Sequence, residues 1–146
     1  GVFGVSAARI GLLPTLFAVP YAVGQILSGW MSERHKPENL MLLGLCGAGI
    51  LNILFSCATS YWMLLCIWFL NGCFQSMIWT PIVRILEQDF RDSVRSNAMF
   101  LISASLIAGY VLAWLLAGVL TSRFDWRVAF RVSGTITACV GCGCRL

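Results

Sequence analysis

The sequence predicts an all-α membrane protein, an antiparallel bundle of transmembrane helices, and three observations carry that prediction. No charged side chain lies between Glu38 and Arg84, and this tract holds two long apolar runs joined by a short polar patch over 56–60. A bilayer core about 30 Å thick takes roughly 20 helical residues to cross, so the tract fits two crossings and a tight turn. Further charge-free tracts over 10–32 and 96–122 flank it, and a shorter one covers 132–144. The hydrophobic fraction is 59%, the charged fraction 11% and the mean hydropathy +0.84, whereas about a quarter of the residues in soluble domains are charged. Helices apolar on every face also occur in soluble cores, but four in succession would leave a chain of 146 residues with almost no polar surface.

Taken in order, helices are expected over about 10–31, 39–58, 61–86 and 97–121, with part of a fifth from about 126. The connecting segments are short, which makes consecutive helices antiparallel and predicts that they pack as neighbours. In the first helix Tyr21, Gln25, Ser28 and Ser32 recur at steps of four, three and four, forming one polar stripe that must face protein or water rather than lipid. Gly44, Gly47, Ala48 and Gly49 give the second helix a small, bland face suited to close backbone approach. Asn71, Gln75 and Trp79 repeat every four residues along the third, with Ser76 and Thr80 beside them, and Ser103 and Tyr110 lie a heptad apart on the fourth. Pro14, Pro20 and Pro81 fall inside helices, where a lost hydrogen bond permits bending that a membrane helix tolerates.

Several function classes lose their footing on composition. The ten basic residues behind the net charge of +4 all lie in or beside the predicted loops, so juxtamembrane anchoring accounts for them and no nucleic-acid partner is implied. Of the seven cysteines, Cys46, Cys57, Cys66 and Cys73 are scattered along apolar stretches as small hydrophobes. Cys139, Cys142 and Cys144 have a spacing that resembles metal ligation but lack a nearby fourth ligand, so no metal or other cofactor is expected. The one histidine, His35, sits in a basic loop without a nucleophile to activate, and no enzyme is expected. No aspartate, glutamate or histidine lies inside a predicted span, so nothing here supports a buried proton relay. Arg131 is the one charge drawn into a span, about a turn inside the fifth helix, and is expected to extend its guanidinium to the headgroups.

Loop charge barely decides orientation, with five basic residues on one side and four on the other. Motifs are more informative. GWMSERHKP, residues 29–37, resembles the cytoplasmic loop between the second and third helices of the major facilitator superfamily, carried here by Gly29, Glu33 and Arg34, with glutamate in the place of the more usual aspartate. DWRVAF, residues 125–130, resembles the turn into that superfamily's sixth helix. CFQSMIWTPIVR, residues 73–84, is similar to the fourth-helix signature of the organophosphate:phosphate antiporters, the glycerol-3-phosphate transporter-like group, with Gln75, Trp79, Pro81 and Arg84 in matching places.

The resemblance implies a twelve-helix major facilitator fold, of which residues 1–146 would be a partial N-terminal half: helices two to five and the start of six. The absence of an initiator methionine and of a signal-peptide pattern fits a fragment without the first helix. The implied function is secondary active transport of a small polar or anionic organic solute, by exchange if phosphorylated, through alternating access. The implied setting is a bacterial inner (plasma) membrane, with the lipid bilayer, the solute and the remainder of the transporter as partners. In this fold helices two, four and five contribute to the central cavity while three and six pack outside. The expected cavity residues are then Tyr21, Gln25, Asn71, Gln75, Trp79 and Ser103, and the expected gating residues Gly29, Glu33, Arg34 and Arg84. Relatives that carry phosphorylated solutes use a lysine in the second helix and a histidine in the fifth. Here those places hold Gln25 and Leu106, so the basic pocket is depleted. Two rivals remain: a transport-inactive membrane sensor of the same fold, and a redox or metal protein built on the cysteines.

Overall fold

A computed structural model describes residues 7–143, which form five helices joined by turns of two to four residues: α1 (Ala7–Arg34), α2 (Pro37–Ser56), α3 (Tyr61–Asp89), α4 (Asp92–Arg123) and α5 (Trp126–Gly143). Pro37 sits at the first helical position of α2, where its missing N–H is no loss. Ser60 caps α3, its Oγ accepting from the Met63 N–H at 3.3 Å. α1 and α3 run a turn or less past the expected ends, through Arg34 and Asp89, and α4 starts earlier, at Asp92. Charge marks where a helix leaves the hydrocarbon, and local hydrogen bonding carries it on into the headgroup layer. Gly11–Arg34, Pro37–Ser56, Tyr61–Asp89 and Ser93–Arg123 are long and apolar enough to cross a bilayer. Pro14, Pro20 and Pro81 lie within continuous helices.

The packing order departs from the chain order. α3 packs along both α1 and α2, and α2 also packs along α5, whereas the sequential pairs α1 and α2, and α3 and α4, barely touch. A short turn holds two helix ends together; which helices lie side by side is decided by where backbones can approach. At Gly24 an added Cβ would strike the Ser76 side chain of α3, and at Gly44 it would come 2.8 Å from the Phe74 carbonyl oxygen. On the opposite flank of α2, a Cβ on Gly49 would lie 2.7 Å from the Ala138 nitrogen of α5. The small face of α2 is therefore two faces, one against α3 and one against α5.

Leu51, Phe55, Ala58, Leu64 and Ile67 form the buried core at the α2–α3 turn, with Trp68, Phe74, Trp126 and Phe130 packed on it. Phe55 is its centre, 4.5 Å from Phe130 and 4.8 Å from Trp68 between ring centroids. α4 has no buried side chain among its described residues and touches α5 and α3 only lightly. Trp114, Phe100 and Ile107 are among its most exposed side chains.

Candidate functional site

The polar stripe of α1 faces α3. Gln25 Oε1 accepts from Thr80 Oγ1 at 2.7 Å, and Tyr21, half-buried, stacks on Phe17 at 5.7 Å. Ser28 and Ser32 are buried, with Ser32 Oγ donating to the Ser28 carbonyl at 2.7 Å. Gly29 has room: a Cβ there would only reach ordinary contact, 3.8 Å from the Thr80 methyl group.

A second polar line runs from α2 into α3. Asn71 is fully buried, its Nδ2 donating to Asn52 Oδ1 at 3.1 Å while its Oδ1 accepts from Gln75 Nε2 at 3.4 Å. Asn52 and Gln75 both line a crevice of about 460 Å³ that opens between α4 and α5, walled by Trp68, Leu116, Trp126 and Phe130 and edged by Ser133 and Thr137. Trp79 is half-buried on the same side of α3, and Ser103 is exposed on α4. Gln25 and Gln75 thus sit on different seams: the first on the α1–α3 seam, the second at the crevice.

The sequence reading missed Asn52. Its surroundings made α2 look bland, yet a single amide deep in an apolar tract costs several kcal/mol unless paired, about 4–8 kcal/mol against an alkane-like medium, so it calls for a partner. Asn71 is that partner.

At the end formed by the α1–α2 and α3–α4 turns, Glu33 and Arg34 are exposed, and the Arg34 guanidinium lies 4.1 Å over the Trp30 ring. Arg84 is half-buried, and its Nε is buried without a hydrogen-bond partner among the described residues. No ion pair joins Glu33, Arg34 and Arg84 among the described residues. At the opposite end Arg127 donates to the carbonyl oxygens of Ser56 (3.4 Å) and Ala58 (3.2 Å), two acceptors that the end of α2 leaves unpaired. Arg131, exposed, donates from Nε to Ser56 Oγ at 3.2 Å. It reaches the end of α2 as well as the surface, a contact that spacing alone did not foretell. Cys57, Cys66, Cys139 and Cys142 are exposed, Cys46 and Cys73 are half-buried, and Cys144 lies outside the described residues.

Four spanning helices whose inward seams carry amides and hydroxyls, with charges confined to the two ends, define an α-helical integral membrane protein. The chain belongs to the Major Facilitator Superfamily, whose sequence model matches residues 1–144. It is 33% identical over 137 residues to the membrane sensor protein UhpC of Salmonella typhimurium, covering 94% of this chain and 31% of that one. It is 31% identical over 140 residues to a probable hexose phosphate transport protein of Chlamydia pneumoniae, covering 96% and 30%. Sugar phosphate exchanger 3 of Homo sapiens is 27% identical over 133 residues, covering 87% and 27%. These likenesses match the organophosphate:phosphate antiporter group. The chain spans just under a third of the length of these relatives.

Proposed function

We propose that this chain supplies helices two to five and the start of helix six to a twelve-helix transporter that exchanges a phosphorylated organic solute for phosphate by alternating access. The observation that carries this reading is the likeness, along nearly the whole chain, to a hexose phosphate transport protein and a sugar phosphate exchanger. The polar lines fit the sugar end of such a solute. Gln25, Gln75, Asn71, Tyr21, Trp79 and Ser103 offer hydrogen bonds and aromatic faces but no positive charge, so the phosphate would be held by basic groups elsewhere in the transporter. Gly29, Glu33, Arg34 and Arg84 would work the cytoplasmic gate. The buried Nε–H of Arg84, without a partner among the described residues, supports this role as a donor open to an acceptor elsewhere in the transporter. An inner (plasma) membrane of a bacterium is the setting this reading assigns.

The decisive experiment is uptake of labelled glucose 6-phosphate by the full-length protein in phosphate-loaded proteoliposomes. Saturable uptake that depends on internal phosphate is expected. Binding without flux would favour the second reading, a membrane sensor, which the likeness to UhpC raises; neither binding nor flux would remove both.

A further inference from the structure

Five of the six acidic residues, Glu33, Glu38, Glu87, Asp89 and Asp92, belong to the end of the bundle formed by the α1–α2 and α3–α4 turns. The other end, where α1 begins, α2 gives way to α3 and α4 to α5, holds Arg9, Arg123, Arg127 and Arg131 against Asp125 alone. Asp125 is spent on its neighbour, 3.9 Å from Arg127 Nε. Arg127 also has its terminal nitrogens turned to the Ser56 and Ala58 carbonyls.

Arg131 is different. It stands five residues into α5, about 7.5 Å along the axis at the rise of a helix, yet its Nε is held by the hydroxyl of Ser56, the last residue of α2. That hydroxyl donates to the Ile53 carbonyl at 2.6 Å, so its lone pair is already aimed at Arg131. The contact fixes the guanidinium level with the end of α2, at the boundary between hydrocarbon and headgroups. No acceptor among the described residues takes either terminal nitrogen, and the residue is exposed. Cys57 beside it is exposed, and Ile53, a turn inward on the flank of α2 that meets Gly134 of α5, is half-buried, so the surface under this charge is apolar. A guanidinium whose Nε is pinned presents its two terminal nitrogens as a fork, a geometry that suits two oxygens of one phosphate.

We propose that Arg131, supported by Ser56 and by the positive field of Arg127, binds the headgroup phosphate of an anionic phospholipid at the α2–α5 seam. The occupant is a lipid rather than free phosphate because the fork lies at the headgroup level with apolar surface directly beneath it. The site is independent of solute transport and does not rest on the reading above.

The test uses the full-length protein in nanodiscs of phosphatidylcholine containing phosphatidylglycerol, with co-purifying lipid counted by native mass spectrometry. Arg131→Gln is expected to retain about fivefold less phosphatidylglycerol, a change of ~1 kcal/mol. Arg123→Gln, which removes an exposed charge at the same end, is expected to change it less than twofold. Equal losses in the two variants would overturn the proposal in favour of diffuse attraction. Should Arg131→Gln fail to insert, Ser56→Ala keeps the charge but frees Nε, and is expected to lower retention at least twofold; unchanged retention would overturn the proposal. Millimolar inorganic phosphate is expected to leave the lipid in place, and displacement by it would mean a free-phosphate site instead.

Discussion

Asn71 shows how much one buried side chain can hold together. Its two polar ends join α2 to Gln75 on the crevice wall, so Asn71→Leu removes the donor to Asn52 and the acceptor for Gln75 together. Interhelical hydrogen bonds in membranes average about 0.6 and reach about 1.7 kcal/mol. The variant should therefore lose roughly 1–2 kcal/mol, read as a lower midpoint in thermal aggregation of the detergent-solubilised full-length protein; an unchanged midpoint would mean that the amide chain carries no stability. Accessibility tests both glutamines. In a cysteine-free full-length background, Gln75→Cys and Gln25→Cys should both react with small water-soluble thiol reagents, more slowly with solute present, and absence of labelling in every state would remove them from the transport pathway. The α1 stripe and the Asn71–Gln75–Trp79 repeat were legible in the sequence because each recurs at helical spacing. Asn52 was not, because a lone amide has no period, and neither was the hold of Arg127 and Arg131 on Ser56, which joins residues some seventy positions apart.

The small residues of α2 settle which helices become neighbours. A valine at Gly49 would press its Cβ toward backbone of α5, including the Gly134 carbonyl at 2.9 Å, and backbone cannot swing aside as a flexible side chain can. Gly49→Val should cost about 1–3 kcal/mol through overpacking, visible as reduced yield of folded protein and a lower melting midpoint. Gly118→Ala on α4, where nothing among the described residues lies within 4 Å of the added methyl group, should fold at least as well as the parent. Equal effects in the two variants would show that the α2–α5 contact is not what the glycines serve. The helix count, the positions of the spans and the small face of α2 could be read from the sequence, since charge-free length and glycine spacing are local properties. The pairing of α1 with α3 could not, because turn length limits only the ends of a hairpin while the match of opposing surfaces decides the rest.

Across the whole molecule, charge is divided by end, and the division assigns tasks. Glu33 and Arg34 lie outside the hydrocarbon, on the turn whose sequence resembles the superfamily's cytoplasmic loop, well away from the glutamines in the seams. Arg34→Ala should therefore slow exchange severely in proteoliposomes while leaving equilibrium solute affinity within about threefold, a change of roughly 0.7 kcal/mol. A loss of binding near a hundredfold, about 2.7 kcal/mol, would instead make Arg34 a contact to the solute. Arg131→Gln should likewise leave affinity for an anionic solute within about threefold, since its guanidinium is tied to the end of α2 and not to the crevice.

The mismatch between chain order and packing order has a bearing on biosynthesis. α1 and α2 are made one after the other, but they hardly touch once folded. α1 must wait in lipid for α3, and the Gly49 flank of α2 stays bare until Gly134 and Ala138 of α5 have been made, more than eighty residues later. Insertion and assembly are then separate events for this protein. Until α5 arrives the nascent chain holds a glycine-lined surface open, the stage at which membrane chaperones or an early stop in translation would have most effect.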